Sequence, residues 1–373
     1  MQLRGLLVLA LLLSGWARAA VLPEQRADAL YHRYEGGGMT IDGPSVLVRK
    51  NIAERVSLSA NYYADKISAA SIDVVTTASP YTEERDEHSI GADYLAGKAI
   101  YSVKWTQSEE SDFSARSLSF GASQDFFGDL TTLSFGYARG NDTVRRSGDP
   151  VFEEQAVRQQ YRIGLTQVLT RNLLVAFSHE FVTDEGYLNN PYRSVRYLVG
   201  TGYSFQSEVY PETRSSEASA LRASYYLPWR AGLHLEHRRY SDSWGVASTD
   251  WGLVLVQPWR EQWEFEVRAR YYDQSAADFY SDLFPFQDAQ NFLARDKELS
   301  TFTSTSLGAA AGYTFFKGRW KHVDRFMLRL SVDHYQFDYQ DFRDIRVAVP
   351  VAGQEPLYGF SALVTQALFS VWY

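Results

Sequence analysis

Apolar and polar residues along this chain alternate with a period of two, stretch after stretch. In the segment EQWEFEVRARYYD, Trp263, Phe265, Val267, Ala269 and Tyr271 fall on one face, and Glu264, Glu266, Arg268, Arg270 and Tyr272 on the other. A period of two is the signature of a β-strand with one apolar and one polar face. Tyr161, Ile163 and Leu165 alternate in the same way with Arg162, Gly164 and Thr166, and Leu221 to Leu227 alternate with Arg222, Ser224 and Tyr226. Leu307 to Phe315 face away from Ser306 to Thr314, and Phe326 to Val332 from Arg329, Ser331 and Asp333. VASTDWGLVLVQ is less regular and puts Val254 and Val256 on the polar side. Such strands suit a soluble sandwich with a protein core, or a membrane barrel with lipid outside and a wet interior.

The connections favour the barrel. Short turns are predicted at residues 50–54, 95–98, 125–129, 170–172, 228–231 and 257–261, with a longer one at 317–324. Between them fall longer connections near 36–40, 66–84, 108–112, 140–156, 184–213, 241–246, 274–300 and 340–356. Tight turns at one end and longer loops at the other are the pattern of outer-membrane barrels. The spacing predicts an all-β, transmembrane antiparallel β-barrel of about sixteen strands (fourteen to eighteen), with short periplasmic turns and long extracellular loops. It begins at ADALYHRYE and ends at Tyr373.

The N-terminus supports export. MQLRGLLVLALLLSGWARAA carries Arg4, an apolar run from Gly5 to Leu13 and the small-x-small site Ala17-Arg18-Ala19. That run is about half the ~20 residues a spanning helix needs. Residues 1–19 are therefore expected to be a cleaved signal peptide, and residues 20–373 the barrel. Mean hydropathy is negative, but alternating strands average an apolar face with a polar one, so this does not argue against a membrane. There is no cysteine, which excludes disulfides and thiol chemistry. The formal charge is −8, and loss of Arg4 and Arg18 with the leader takes it to about −10, against any nucleic-acid partner.

Longer blocks carry a more specific signal. LYHRYEGGGMTIDGPSVLVRK, SFGASQDFFGDLTTLSFGY, TDEGYLNNPYRSVRYL, ADFYSDLFPFQDAQNFLARDKELSTF and FDYQDFRDIRV together resemble a bacterial family known only as domain of unknown function 3570. The resemblance spans nearly all of the mature chain and implies a Gram-negative outer-membrane protein. It also implies a redox or respiratory setting beside a small lipoprotein and a flavin-attaching enzyme. It supplies no activity and no catalytic residues. The ending SALVTQALFSVWY resembles the last strand of outer-membrane barrels, whose closing aromatic the barrel-assembly machinery reads, and Phe369, Val371 and Tyr373 are in phase there.

The candidate chemistry lies inside the barrel. Lys104, Arg162, Arg222, His234, Glu236, Arg238, Glu264, Glu266, Arg268, Arg270, Arg329 and Asp333 fall on the polar faces, where they form either a selectivity zone or a salt-bridge network in a plugged lumen. Two loops combine acidic and apolar residues. In 274–300, Phe279, Leu283, Phe284 and Phe286 need burial, and in 184–213 so do Tyr187, Leu188, Tyr192, Val195 and Tyr197. Both are expected to fold into the barrel mouth as constriction or recognition elements. Asp273, Asp278, Asp282, Asp288, Asp296 and Glu298 offer oxygens that suit calcium or magnesium but match no EF-hand spacing, and a solvated acidic loop is the expectation.

An enzyme is poorly supported. Ser178 and His179 point to opposite faces, His234 with Glu236 would make only a two-residue metal cluster, and the seven histidines form no HExxH. No metal and no cofactor is expected, and no haem-binding motif is present. The favoured reading is a passive channel for a small solute or ion, its selectivity set by Arg268 and Arg270. The alternatives are a non-conducting scaffold for a periplasmic or surface partner, and a membrane-embedded hydrolase. The partners expected are outer-membrane lipid, the assembly machinery and a periplasmic or lipoprotein partner.

Overall fold

The computed structural model describes residues 20–69, 81–320 and 323–373. The expected leader at 1–19, most of the 66–84 connection and the tip of the 317–324 turn lie outside these residues. The first strands are β1 (Arg26–Gly36), β2 (Met39–Ile52), β3 (Val56–Ala69), β4 (Tyr81–Ala96), β5 (Ala99–Glu109) and β6 (Phe113–Phe126). Then come β7 (Thr131–Arg146), β8 (Asp149–Thr170), β9 (Leu173–Gly186), β10 (Ser194–Val199), β11 (Gly202–Ser207) and β12 (Thr213–Tyr226). The last are β13 (Gly232–Asp242), β14 (Ala247–Trp259), β15 (Trp263–Gln274), β16 (Phe302–Trp320), β17 (Val323–Arg343) and β18 (Leu357–Trp372).

Sixteen strands close into one antiparallel barrel, and β10 with β11 forms a separate hairpin between β9 and β12. Closure pairs β1 with β18 from Arg26↔Trp372 to Gly36↔Ala362, so neither terminal strand is left with a free edge. Among the described residues the only helical element is a 3-10 turn at Lys297–Leu299.

The alternation resolves as the strand pattern predicts. Trp263, Phe265, Val267 and Tyr271 of β15 point outward and are exposed, as are Val46, Val48, Leu118, Phe120, Leu253, Leu255, Leu328 and Leu330 on other strands. A continuous apolar exterior of this extent has no stable place in water, and lipid is the solvent that suits it. The fold is a transmembrane β-barrel of the outer-membrane class. Val254 and Val256 do point inward, in register with His234 and Gly232.

Two of the longer connections differ from expectation. The one near 36–40 is a two-residue turn, Gly37-Gly38, with both φ angles positive (58° and 79°), the backbone that tight hairpin turns demand. The 140–156 stretch is mostly strand, for β7 and β8 continue to a turn at Ser147-Gly148. β8 is 22 residues long, about twice what a spanning strand requires. Its polar extension is paired rather than loose, with Arg145 3.0 Å from Glu153 across the ribbon. Among the described residues, three long loops remain at the end opposite the termini, at 187–212, 275–301 and 344–356.

At the terminal end, Phe369 and Val371 face outward opposite Ala29 and Ala27. The Tyr373 hydroxyl donates to the Arg49 carbonyl at 3.0 Å, and the Lys50 ammonium sits 4.9 Å from its ring centre.

Candidate functional site

The inner wall is charged along one arc and small along another. From β8 to β17 most inward arginines meet a carboxylate on a neighbouring strand. Arg162 lies opposite Glu180 and donates to it through Nε at 3.1 Å, and Arg222 lies opposite Glu236 at 2.7 Å. Arg158 pairs with Asp184 at 2.6 Å, and Arg270 with Asp250 at 2.7 Å. On β5 to β7 the inward positions are instead mostly small or hydroxylated, Ser102, Thr106, Ser117, Ser119, Gly121 and Gly136, with Lys104 a cation among them.

Several bridges skip a strand, among them Arg49 on β2 to Asp93 on β4 at 2.6 Å and a crossed pair over β16. Arg268 on β15 reaches over β16 to Asp333 on β17 while also bonding Glu266 at 2.7 Å. Arg329 on β17 returns over β16 to Glu264 at 3.0 Å and Glu266 at 2.6 Å. The crossing is possible because β16 presents Gly308, Ala310 and Gly312 beneath it. A Cβ on Gly308 would lie 1.9 Å from Asp333 Oδ1 and 2.9 Å from Arg268 Nε, so only glycine leaves room.

These pairs differ in their contact with water. The Arg268 and Arg329 side chains are 26% and 21% exposed, but Arg162 and Arg222 are 61% and 58% exposed although they face inward. Among the described residues Lys104 and Arg238 have no carboxylate within 4 Å. Arg238 lies over the Tyr240 ring, 5.9 Å from its centre. His234 shares a hydrogen bond of 2.8 Å with Ser224 while Glu236 is held by Arg222, so these two do not converge on a common point. Of the residues assigned to the lumen, the structure joins Glu264, Glu266, Arg268, Arg329 and Asp333 into one network and leaves Arg238 apart.

Over the loop end, the three long loops fold together into a cap. Tyr210, Ala277, Phe279, Ala294 and Leu299 pack with Trp244 and Val246 from the β13–β14 turn, and Val195, Phe284 and Leu293 form a second cluster. The β10–β11 hairpin joins the cap through bridges between Tyr197 and Phe284 and between Val209 and Leu293. Phe279, Phe284, Val195 and Tyr197 thus find their burial within the cap, whereas Phe286 and Tyr192, expected to be buried, stay exposed at 59% and 43%.

A buried charge cluster ties the loops together. The Arg196 side chain is fully buried and donates to both Glu355 oxygens, at 2.6 and 3.2 Å, and to the Asp282 carbonyl at 2.8 Å. It also forms an ion pair with the Asp282 carboxylate. Arg295 meets the same Asp282 at 3.1 Å, donates to the Arg343 carbonyl at 3.0 Å and lies 4.4 Å from the Phe342 ring centre. Burial opposes charge on Glu355 more than any single contact favours it, but the Arg196 hydrogen bonds and charge together with backbone amide hydrogen bonds outweigh it and hold this carboxyl below its usual range. Burial, and then the neighbouring Glu208, pushes the Tyr210 hydroxyl well above its ordinary value.

The six aromatic loop candidates take different places. Phe279, Phe284 and Tyr197 sit in the cap clusters, and Tyr187 packs edge-on against Phe152 with ring centres 5.4 Å apart. Tyr192 straps the cap to two neighbouring hairpins by bonding the Asp112 carboxylate and accepting from the Ser147 amide at 2.6 Å. Phe286 is exposed.

The acidic residues of the 274–300 loop are dispersed. Asp282 holds two arginines, Asp296 pairs with Arg193 and caps the 3-10 turn, and Asp273 points outward from β15. Glu83, Glu110 and Asp112, which the sequence does not single out, bring oxygens within 4.8 Å of one another near the rim. Arg196, Arg295 and Glu355 were also missed. A hint lay in SVRYLV, where an arginine interrupts an otherwise apolar and aromatic strand.

Together these features define a β-barrel of the outer-membrane class with a polar, charged inner wall and a folded loop cap. The chain matches the family model "Protein of unknown function (DUF3570)" over residues 72–162 and 151–341, and it belongs to that family. No curated protein matches the chain in sequence. Among solved structures, a bacterial polysaccharide outer membrane secretin is similar at TM-score 0.52 and 8% identity, covering 94% of this chain and 99% of the other. The outer membrane protein opdK from Pseudomonas aeruginosa gives TM-score 0.44 at 9% identity, with 94% and 99% covered. The CymD monoaromatic hydrocarbon channel gives 0.45 at 10%, with 94% and 89% covered. At such identities the likeness is one of fold.

Proposed function

We propose that the protein resides in the bacterial outer membrane, cap outward, and is a passive channel for small polar or charged solutes. The observation that carries this reading is the exposure of the inward-facing Arg162 and Arg222 side chains, at 61% and 58%. A plugged, structural lumen would bury such groups, whereas a barrel of this size has room for water. Arg162, Arg222 and Arg270 are each neutralised by one carboxylate, and the network of Arg268 and Arg329 with Glu264, Glu266 and Asp333 carries one negative charge in excess; the anion preference is assigned to Lys104 and Arg238, which among the described residues have no carboxylate within 4 Å. Arg268 and Arg270, expected from the sequence to set selectivity, serve instead as members of ion pairs. The cap supplies the constriction.

Swelling of liposomes containing the refolded protein tests this reading. Small polar solutes should enter, anionic ones faster than cationic ones of equal size. Vesicles that stay impermeable with the barrel correctly folded would contradict it.

A partner-holding role is favoured by the apolar side chains left on the cap surface, since Val199 and Phe286 are 57% and 59% exposed. A surface or lipoprotein partner would cover them, and co-purification lost in a Val199→Ser, Phe286→Ser variant is its test. Recognition of Phe369, Val371 and Tyr373 by the assembly machinery belongs to the same proposal for the outer membrane.

A further inference from the structure

The apolar exterior is interrupted by a polar groove. On β9, β12, β13, β14 and β15, outward residues form rows across the strands. One row is Phe177, Leu221, His237, Trp251 and Tyr271. One step nearer the loop end the row changes character to His179, Ser219, Arg239, Thr249 and Asp273. With Glu217 and Ser241 these line a groove of about 530 Å³. It lies on the outside of the barrel, immediately beyond an aromatic row of the kind found where hydrocarbon gives way to headgroups.

Its side chains are arranged around one cation. Arg239 donates to His237 Nε2 at 3.2 Å, and among the described residues it has no carboxylate within 4 Å. His237 in turn stacks on Trp251, ring centres 4.0 Å apart. Ser219 and Thr249 flank the arginine on either side, and Ser219 shares a 2.9 Å hydrogen bond with His179 Nδ1. This Ser–His contact is not built as a hydrolase, since among the described residues no carboxylate orients the other ring nitrogen of His179.

We propose that the groove seats the headgroup of a phosphorylated glycolipid of the outer leaflet. A guanidinium at the edge of hydrocarbon without a carboxylate partner calls for an anion, and its planar fork matches phosphate. The hydroxyls of Ser219 and Thr249 donate to the same group. Glu217 and Asp273 keep a ligand's second phosphate outside the groove, and they accept hydrogen bonds from sugar hydroxyls. A phospholipid without sugar leaves both carboxylates unanswered. The assignment rests on the loop end facing the outer leaflet, and is independent of whether the barrel conducts.

The full-length protein, refolded in maltoside micelles, is titrated with an acylated glucosamine disaccharide carrying two phosphates, with the same glycolipid lacking phosphate, and with inorganic phosphate. The diphosphorylated form should bind at one equivalent, about tenfold or more tighter than the form without phosphate. Arg239→Gln should abolish that preference, Arg239→Lys should keep part of it, and Arg116→Gln, on the outer face of β6, should keep all of it. Conductance and swelling should be unchanged in Arg239→Gln, because its side chain lies outside the lumen. Should that variant refold poorly, Ser219→Ala with Thr249→Val should weaken the preference in its place. An undiminished preference in Arg239→Gln, or in the double variant, would overturn the proposal. So would displacement of the glycolipid by millimolar inorganic phosphate, which would reduce the groove to an anion site.

Discussion

Replacing Arg196 with leucine should open the cap while leaving the barrel closed. The native guanidinium spends its donors on Glu355 and Asp282 inside the cap. Without it Asp282 keeps Arg295, but the buried Glu355 carboxylate keeps only backbone amides, its own and that of Gly353 at 2.8 Å. Removing one partner of a buried pair in this way costs about 3–5 kcal/mol. Since about 1.4 kcal/mol is tenfold in an equilibrium, the open cap should rise in population at least about a hundredfold. Limited proteolysis of the folded protein in micelles reads that population when opening and closing are fast relative to cleavage. Cleavage within 187–212 and 275–301 should accelerate by that factor, with the barrel's heat-modifiable gel mobility unchanged. Arg196→Met combined with Glu355→Leu removes both charges and should recover most of the resistance. Cleavage of Arg196→Leu at the wild-type rate would refute the reasoning, and so would a double variant as sensitive as the single one.

Other consequences follow from the same structure. Glu355 has a folded pKa below its unfolded value, so its contribution is present above the ordinary glutamate range and lost as pH falls through the folded value. Protease resistance of the cap should hold from pH 8 to 5 and decline below about pH 4. Tyr210 is shifted upward, so its contribution is present below its unfolded pKa and is lost as the pH climbs past about 10, which hydrogen exchange of the cap amides would register. Gly308→Val would force Arg268 and Asp333 apart, and equilibrium unfolding in urea should show a loss of stability exceeding that of Ala310→Val by about 1 kcal/mol or more. Val267→Arg, on the outer face, should cost about 2–4 kcal/mol in the same assay if it lies near the bilayer centre, whereas Ser331→Arg, on the inner face, should cost far less.

How much of this was legible in the sequence depends on the range over which each feature is encoded. Face assignment is local, so the inward Glu264, Glu266, Arg268 and Arg270 and the outward Trp263 to Tyr271 follow from alternation alone, as do the positions of the first and last strands. Pairing is not local. Arg268 meets Asp333 65 positions away, across a strand whose glycine must first be placed in register. Arg196, on the short strand β10, and Glu355, in a loop, lie 159 positions apart, and no strand pairing joins their segments to align them. The 140–156 segment misled because its density of charge reads as a loop, although Arg145 and Glu153 are cross-strand partners in a ribbon beyond the membrane. The outer groove was invisible for a related reason: Ser178 is His179's neighbour in sequence, but Ser219 is its neighbour in space.

The most direct test of the central claim is single-channel recording of the refolded protein in a planar bilayer. Stable openings should appear, with an anion preference that turns toward cations in Arg238→Glu, because that arginine stands inside the lumen without a carboxylate partner. A barrel that inserts in folded form and carries no current would contradict the channel reading.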